Sequence, residues 1–162
     1  MIGLIQRVTQ AKVEIDGVIV GEIAGGLLLF QCVEQNDTTK EADKLLDKVL
    51  KLRIFSDENG KMNRSVLNLD GNGKAGDLLI VSQFTLAADV SSGTRPGFSA
   101  AASPQKGQEL YEYFIAQARQ QPLHHIATGS FGADMQITLT NDGPVTIPIH
   151  IAPAKYSNSS NE

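Results

Sequence analysis

The run Leu78-Leu79-Ile80-Val81 puts apolar side chains on both faces of an extended segment, the pattern of a central strand covered on two sides. The chain then turns polar through Ser82-Gln83-Phe84-Thr85-Leu86. Strand alternation places Gln83 and Thr85 with Leu79 and Val81, and Ser82 with Ile80 and Phe84. An amide and two hydroxyls at the tip of a buried strand either close it with local hydrogen bonds or face a ligand. The segment alone leaves both readings open.

What covers that strand is legible elsewhere. Leu4 to Ile15 alternates over part of its length and meets Asp16-Gly17, a hairpin signal, so Val18 to Ile23 is a second strand. Gly25-Gly26 then breaks the chain before Leu27 to Val33, an apolar run that reads as sheet interior, and the three strands are expected to form an antiparallel meander. Thr38-Thr39-Lys40-Glu41 is a capping box, and Ala42, Leu45, Leu46, Val49 and Leu50 follow it as one apolar stripe. Ser103 and Pro104 start a second helix, with Leu110, Tyr111, Phe114, Ile115 and Ala118 on its apolar face and Pro122 marking its end. The expected fold is an α/β domain of antiparallel, partly barrel-like β-sheets covered by two main helices. At 162 residues it is one domain, spanning 1–153, with 154–162 expected to be a flexible tail.

Composition narrows the chemistry. A single cysteine, Cys32, excludes an intrachain disulfide and reads as a small core residue; with no signal peptide and no long apolar span, a cytoplasmic protein with no membrane partner is expected. The net charge of -4 argues against a general nucleic-acid coat, so DNA is not expected as a partner and any RNA must be gripped locally. The densest basic neighbourhood is Lys51, Arg53, Lys61 and Arg64. No glycine-rich phosphate loop, metal-ligand spacing or nucleophile elbow is present, so neither metal nor cofactor is expected. Nothing in the spacing of His124, His125 and His150 orients them toward Ser82 or Thr85, which makes preorganised backbone donors a better basis for catalysis than an activated side chain. The connection from Asp89 to Ser103 is long for a compact domain, and its Arg95, Phe98 and flexible glycines suit a segment that closes over a substrate. Arg7 is either an exposed decoration of the first strand or a buried prop, and Gly143-Pro144 is a turn or a strand-entry feature, because proline cannot donate to a ladder.

Two stretches carry a family resemblance. Ser82-Gln83-Phe84-Thr85-Leu86 and Asn141-Asp142-Gly143-Pro144-Val145-Thr146, in that order in a chain of this length, resemble the signature motifs of the D-aminoacyl-tRNA deacylase family. The likeness extends through Gln6-Arg7-Val8, Leu52-Arg53-Ile54-Phe55, Gly60 to Ser65, Arg95-Pro96 and Phe131 to Met135, and so covers nearly the whole domain. Ala87-Ala88 and Gly97 depart from the family pattern and leave both motifs intact.

The resemblance implies a homodimer, needing no metal, that hydrolyses the ester joining a D-amino acid to the acceptor end of tRNA. Ser82, Gln83, Phe84 and Thr85 would form the catalytic tip, with backbone amides near Phe84 and Thr85 holding the developing oxyanion. Gly143-Pro144, in the cis form, would enter the partner's pocket and exclude L side chains, with Arg7 as its prop. Leu86, Phe131, Met135, Arg95 and Phe98 would contact substrate, Phe131 and Met135 as walls for the terminal adenine. Glycine has no side chain to exclude, so glycyl esters are expected substrates too. Two rivals differ in kind: an esterase using Thr85 as nucleophile, which would leave a trapped acyl-enzyme, and a dimeric RNA-binding module without turnover.

Overall fold

The computed structural model describes residues 1–153, so the expected tail 154–162 lies outside the described residues. The strands are β1 (Ile2–Ile15), β2 (Val18–Ile23), β3 (Gly26–Cys32), β4 (Phe55–Ser56), β5 (Met62–Arg64), β6 (Asp77–Ser82), β7 (His125–Thr128) and β8 (Gln136–His150); the helices are α1 (Thr39–Lys51) and α2 (Pro104–Ala118). β1 is the hub. Ile2 to Val8 pair antiparallel with β3, Ala11 to Ile15 pair with β2, and β8 runs antiparallel along nearly its whole length.

Two features differ from the expectation. The first three strands are not a meander: the order is β2-β1-β3, because β1 has 14 residues and β2 only six, and β3 takes the half of β1 that β2 leaves unpaired. Nor is the sheet wholly antiparallel, since β6 pairs parallel with both β3 and β7. Each of those connections includes a helix, α1 between β3 and β6 and α2 between β6 and β7, and a helical crossover is what lets neighbouring strands run the same way. The sheet curls until β2 lies against β7. At the contact, a Cβ on Gly21 would stand 2.4 Å from the Thr128 carbonyl oxygen, so only glycine fits there. The result is a nearly closed, barrel-like mixed sheet with two helices.

The double-faced apolar runs fill two cores. Leu27, Leu29, Leu78 and Ile80 pack under the helices with Leu45, Val49, Leu110 and Phe114. Leu28, Leu79 and Val81 point the other way and fill the barrel with Val8, Val13 and Ile23. The Met1 α-ammonium is buried beside the segments that follow β3 and β8, donating to Glu34 Oε2 (2.9 Å), Asp37 Oδ1 (2.7 Å) and the Ile151 carbonyl (2.7 Å).

The capping box forms as the sequence suggests. The amide and the hydroxyl of Thr38 both donate to Glu41 Oε2, each at 2.7 Å. Burial alone would raise the Glu41 carboxyl, but these donors outweigh it and hold the group below the usual carboxylate range. A depressed folded-state value means the stabilisation is present above the unfolded carboxyl range and is lost as pH falls through the folded one. Glu41→Ala is therefore expected to lower stability by about 1 kcal/mol at neutral pH, with the gap closing in acid. Melting curves of both proteins between about pH 7 and about pH 3 check this, and a gap independent of pH would refute it.

Candidate active site

β6 stops at Ser82, and the residues after it form a single 3-10 turn, Phe84–Ala87. Strand alternation therefore does not extend to Phe84 and Thr85: both are exposed on the turn. The Gln83 amide makes a last cross-strand bond to the Gln31 carbonyl (2.8 Å), after which Leu86 N donates to Gln83 O (3.3 Å) and Ala88 N to Thr85 O (3.1 Å). The first amides of a helical turn have no acceptor within it, which leaves Phe84 N–H and Thr85 N–H unclaimed by the turn. Two side chains brace this geometry. Gln83 Nε2 donates to Thr85 Oγ1, and the Cys32 thiol donates to the Phe84 carbonyl (S···O 3.6 Å). Burial, helped by the charge of Glu34, pushes the Cys32 thiol up to about 11, so it stays protonated and serves as a donor, not a nucleophile.

Beside the turn lies a cleft of about 630 Å³. Ser82, Gln83 and Phe84 form its polar edge, and its walls include Phe98, Tyr111, Phe131 and Met135. Phe84 and Phe98 meet edge to face, centroids 5.1 Å apart and planes at 70°. Tyr111 is fixed by its hydroxyl, which donates to the Ile80 carbonyl (2.8 Å), and its ring lies 5.9 Å from that of Phe131. The long loop is tied down at both ends, by the reciprocal Asp89–Gly97 bonds (2.7 and 2.9 Å) and by the Glu34–Ala101 bridge. Arg95 sits at its exposed tip, and neither Arg95 nor Thr85 nor Leu86 is among the residues that line the cleft.

The second motif is built into β8 and is neither a hairpin turn nor a strand entry. Between Gln6 and Val8, β1 advances two residues while β8 runs five, from Thr146 to Asn141, so the Gly143-Pro144 segment is extruded from the ladder as a bulge. Asn141 closes its neck: its Oδ1 accepts from Val145 N (2.8 Å), and its Nδ2 donates to Val145 O (3.1 Å) and Thr146 Oγ1 (3.0 Å). Gly143 has φ +149°, its peptide bond to Pro144 is cis, and both residues are exposed. Arg7 lies behind them with its side chain only 11 % exposed, donating from Nε to the Asp142 carbonyl (2.7 Å) and from Nη1 to the Ile54 carbonyl (2.8 Å). It is thus a buried brace and not edge decoration. None of Arg7, Gly143 and Pro144 lines the cleft of its own chain.

The histidines stand apart from the strand tip. His124 Nδ1 pairs with the buried Asp77 (2.7 Å), His150 Nε2 with Glu34 (2.7 Å), and His125 lines a separate cleft with His124, Lys12 and Glu22. Gln31, Cys32 and Tyr111 line the candidate site although the sequence reading did not place them there. Gln31 carried one signal, a lone amide inside an apolar run. Among the described residues, no group of three His, Cys, Asp or Glu side chains is arranged to hold a metal, and no helix is long and apolar enough to cross a membrane.

Fold and cleft together define a class: a barrel-like α/β domain with an aromatic-walled cleft beside the turn that ends a central strand. The family model described as D-Tyr-tRNA(Tyr) deacylase matches residues 4–150. The D-aminoacyl-tRNA deacylase of Albidiferax ferrireducens is 62% identical over 94% of this chain and 96% of its own length, and that of Acidovorax ebreus 63% identical over 94% and 99%. A solved structure titled c-Myc DNA Unwinding Element Binding Protein superposes with a TM-score of 0.85 at 38% identity, covering 95% of this chain and all of that one. A probable eukaryotic D-amino acid tRNA deacylase, at 17% identity and a TM-score of 0.75, shares the fold over 93% of this chain and 98% of its own. The chain belongs to the D-Tyr-tRNA(Tyr) deacylase family.

Proposed function

We propose that this protein hydrolyses the ester bond of D-aminoacyl-tRNA, releasing the D-amino acid and free tRNA. The observation that carries the reading is the pair of amides, Phe84 and Thr85, left unclaimed by the turn beside an aromatic-walled cleft in a chain of this family. Water adds to the ester carbonyl, negative charge gathers on its oxygen, and the two N–H groups receive that charge. One such donor contributes ~2.7–4 kcal/mol to the transition state. Collapse breaks the bond to the terminal ribose, whose oxygen takes up a proton, and the neighbouring ribose hydroxyl of the substrate assists. Phe131 and Met135 flank the terminal adenine, Phe98 and the Arg95 loop cover the acceptor end, and Leu86, on the same turn as the two amides, contacts the substrate beside them. Deacylation of D-tyrosyl-tRNA but not of L-tyrosyl-tRNA is the test; turnover of neither would overturn the reading.

The protein acts as a homodimer in the cytoplasm, and selectivity comes from exclusion. The bulge at Gly143-Pro144 protrudes and stays out of its own cleft, which supports insertion into the partner's. There it blocks the direction an L side chain would take, and a glycyl ester, having none, is cleaved as well. Duplex DNA, with a chain of net charge -4 to approach, is expected not to compete with aminoacyl-tRNA.

Thr85 positions and does not attack, since no histidine hydrogen-bonds its hydroxyl and its Oγ1 is engaged by Gln83. Thr85→Ala is expected to keep activity within about tenfold of the parent, the range of one lost neutral hydrogen bond. Complete loss of turnover with folding and tRNA binding intact, or a trapped acyl-enzyme, would make Thr85 the nucleophile.

A further inference from the structure

Gln31 is the one feature of the cleft that neither the fold nor the catalytic scheme explains. It stands on β3 level with Ser82, lines the cleft, and is only 2 % exposed. Its Nε2 meets Met1 Sδ at 3.2 Å, a weak acceptor, and its Oε1 has no hydrogen-bond partner. Among the described residues this is the sole buried side-chain nitrogen or oxygen left unpaired. Exchanging the two amide atoms does not help: the unpaired atom would then be the nitrogen, and a carbonyl oxygen would face the thioether. An apolar side chain would fill the position at lower cost, so the amide calls for a ligand.

We infer that Gln31 reads the edge of the terminal nucleobase, an inference that rests on the deacylase reading above. An amide presents an acceptor and a donor side by side, the complement of adenine's exocyclic amine and adjacent ring nitrogen. Phe131, already placed as a wall for the terminal adenine, lines the same cleft as Gln31, so a base held against that ring lies in the space whose lining includes the amide. Turned from its buried position into the cleft, the side chain accepts from the amine at Oε1, and Nε2 exchanges its thioether for a ring nitrogen. Gln31 is a specificity residue. It touches no reacting atom, and its loss acts on binding.

The test compares tRNA ending in adenosine with the same tRNA ending in purine riboside, which lacks the exocyclic amine, both charged with D-tyrosine. The parent protein is expected to favour adenosine by about 5- to 150-fold in kcat/KM, the range of a good amide–adenine pair, with the difference in KM. In Gln31→Met that preference should fall to about one, with kcat unchanged and the melting temperature equal or higher, because the orphan group is gone. Gln31→Leu should behave likewise and covers the case in which the methionine variant fails to fold. A preference preserved in either folded variant, or absent from the parent, overturns the inference and reduces Gln31 to a hydrated core amide. A parent that hydrolyses neither substrate overturns the deacylase reading instead, so the two failures are distinguishable.

Discussion

Gly143→Val is expected to lower D-tyrosyl-tRNA hydrolysis about a hundredfold, the scale of a displacement near 1 Å in a positioning element. At φ +149° an L side chain is strained by ~1–3 kcal/mol before any contact is counted. The contacts make it worse: a Cβ would lie 2.8 Å from Val145 Cγ2, 2.9 Å from the Val145 amide nitrogen and 3.2 Å from Arg7 Nη2. Val145 is buried and its amide is held by Asn141, so the bulge tip is what must move. A mixed dimer shows whose pocket suffers. One subunit carries Phe84→Pro, which deletes a donor amide, and the other carries Gly143→Val. If each bulge serves the partner, one pocket holds both lesions and the other none, so about half the activity of the parent dimer survives. Complete inactivity would mean that each pocket uses its own bulge.

Arg7→Ala is the second large loss. The guanidinium holds two carbonyls from different parts of the chain, Asp142 in the bulge and Ile54 before β4, and alanine leaves both without that partner. Stability should fall by about 1–3 kcal/mol, the cost of leaving the buried Ile54 carbonyl without its donor, because the exposed Asp142 carbonyl can turn to water. Under the exclusion scheme the released bulge also stops discriminating, so the D-to-L activity ratio should drop at least tenfold in parallel assays on D- and L-tyrosyl-tRNA. Arg7→Lys should fail to rescue, because one ammonium lacks the planar fork that reaches both carbonyls. An alanine variant with the parental ratio would leave Arg7 a purely structural brace.

The same residues show where sequence suffices. Helix α1 was readable to its cap because a capping box and an apolar stripe are local codes, satisfied within a few residues of where they are written. The two-sided apolar runs likewise determined that Leu78 to Val81 would be buried on both faces. The two motifs also determined, through resemblance, the family to which the chain belongs. Pairing was another matter. Whether β3 joins β2 or β1, and whether β6 runs parallel to it, depends on strand length and crossover, and neither is encoded in the strands' own alternation. Arg7 and the Asn141–Thr146 segment look like decoration and a turn when read alone, because they lie more than a hundred residues from each other; only tertiary structure sets Arg7 opposite the bulge. The orphaned amide of Gln31 was invisible for the same reason. A sequence shows that a polar residue sits in an apolar run, but whether that residue finds a partner is decided by everything folded around it.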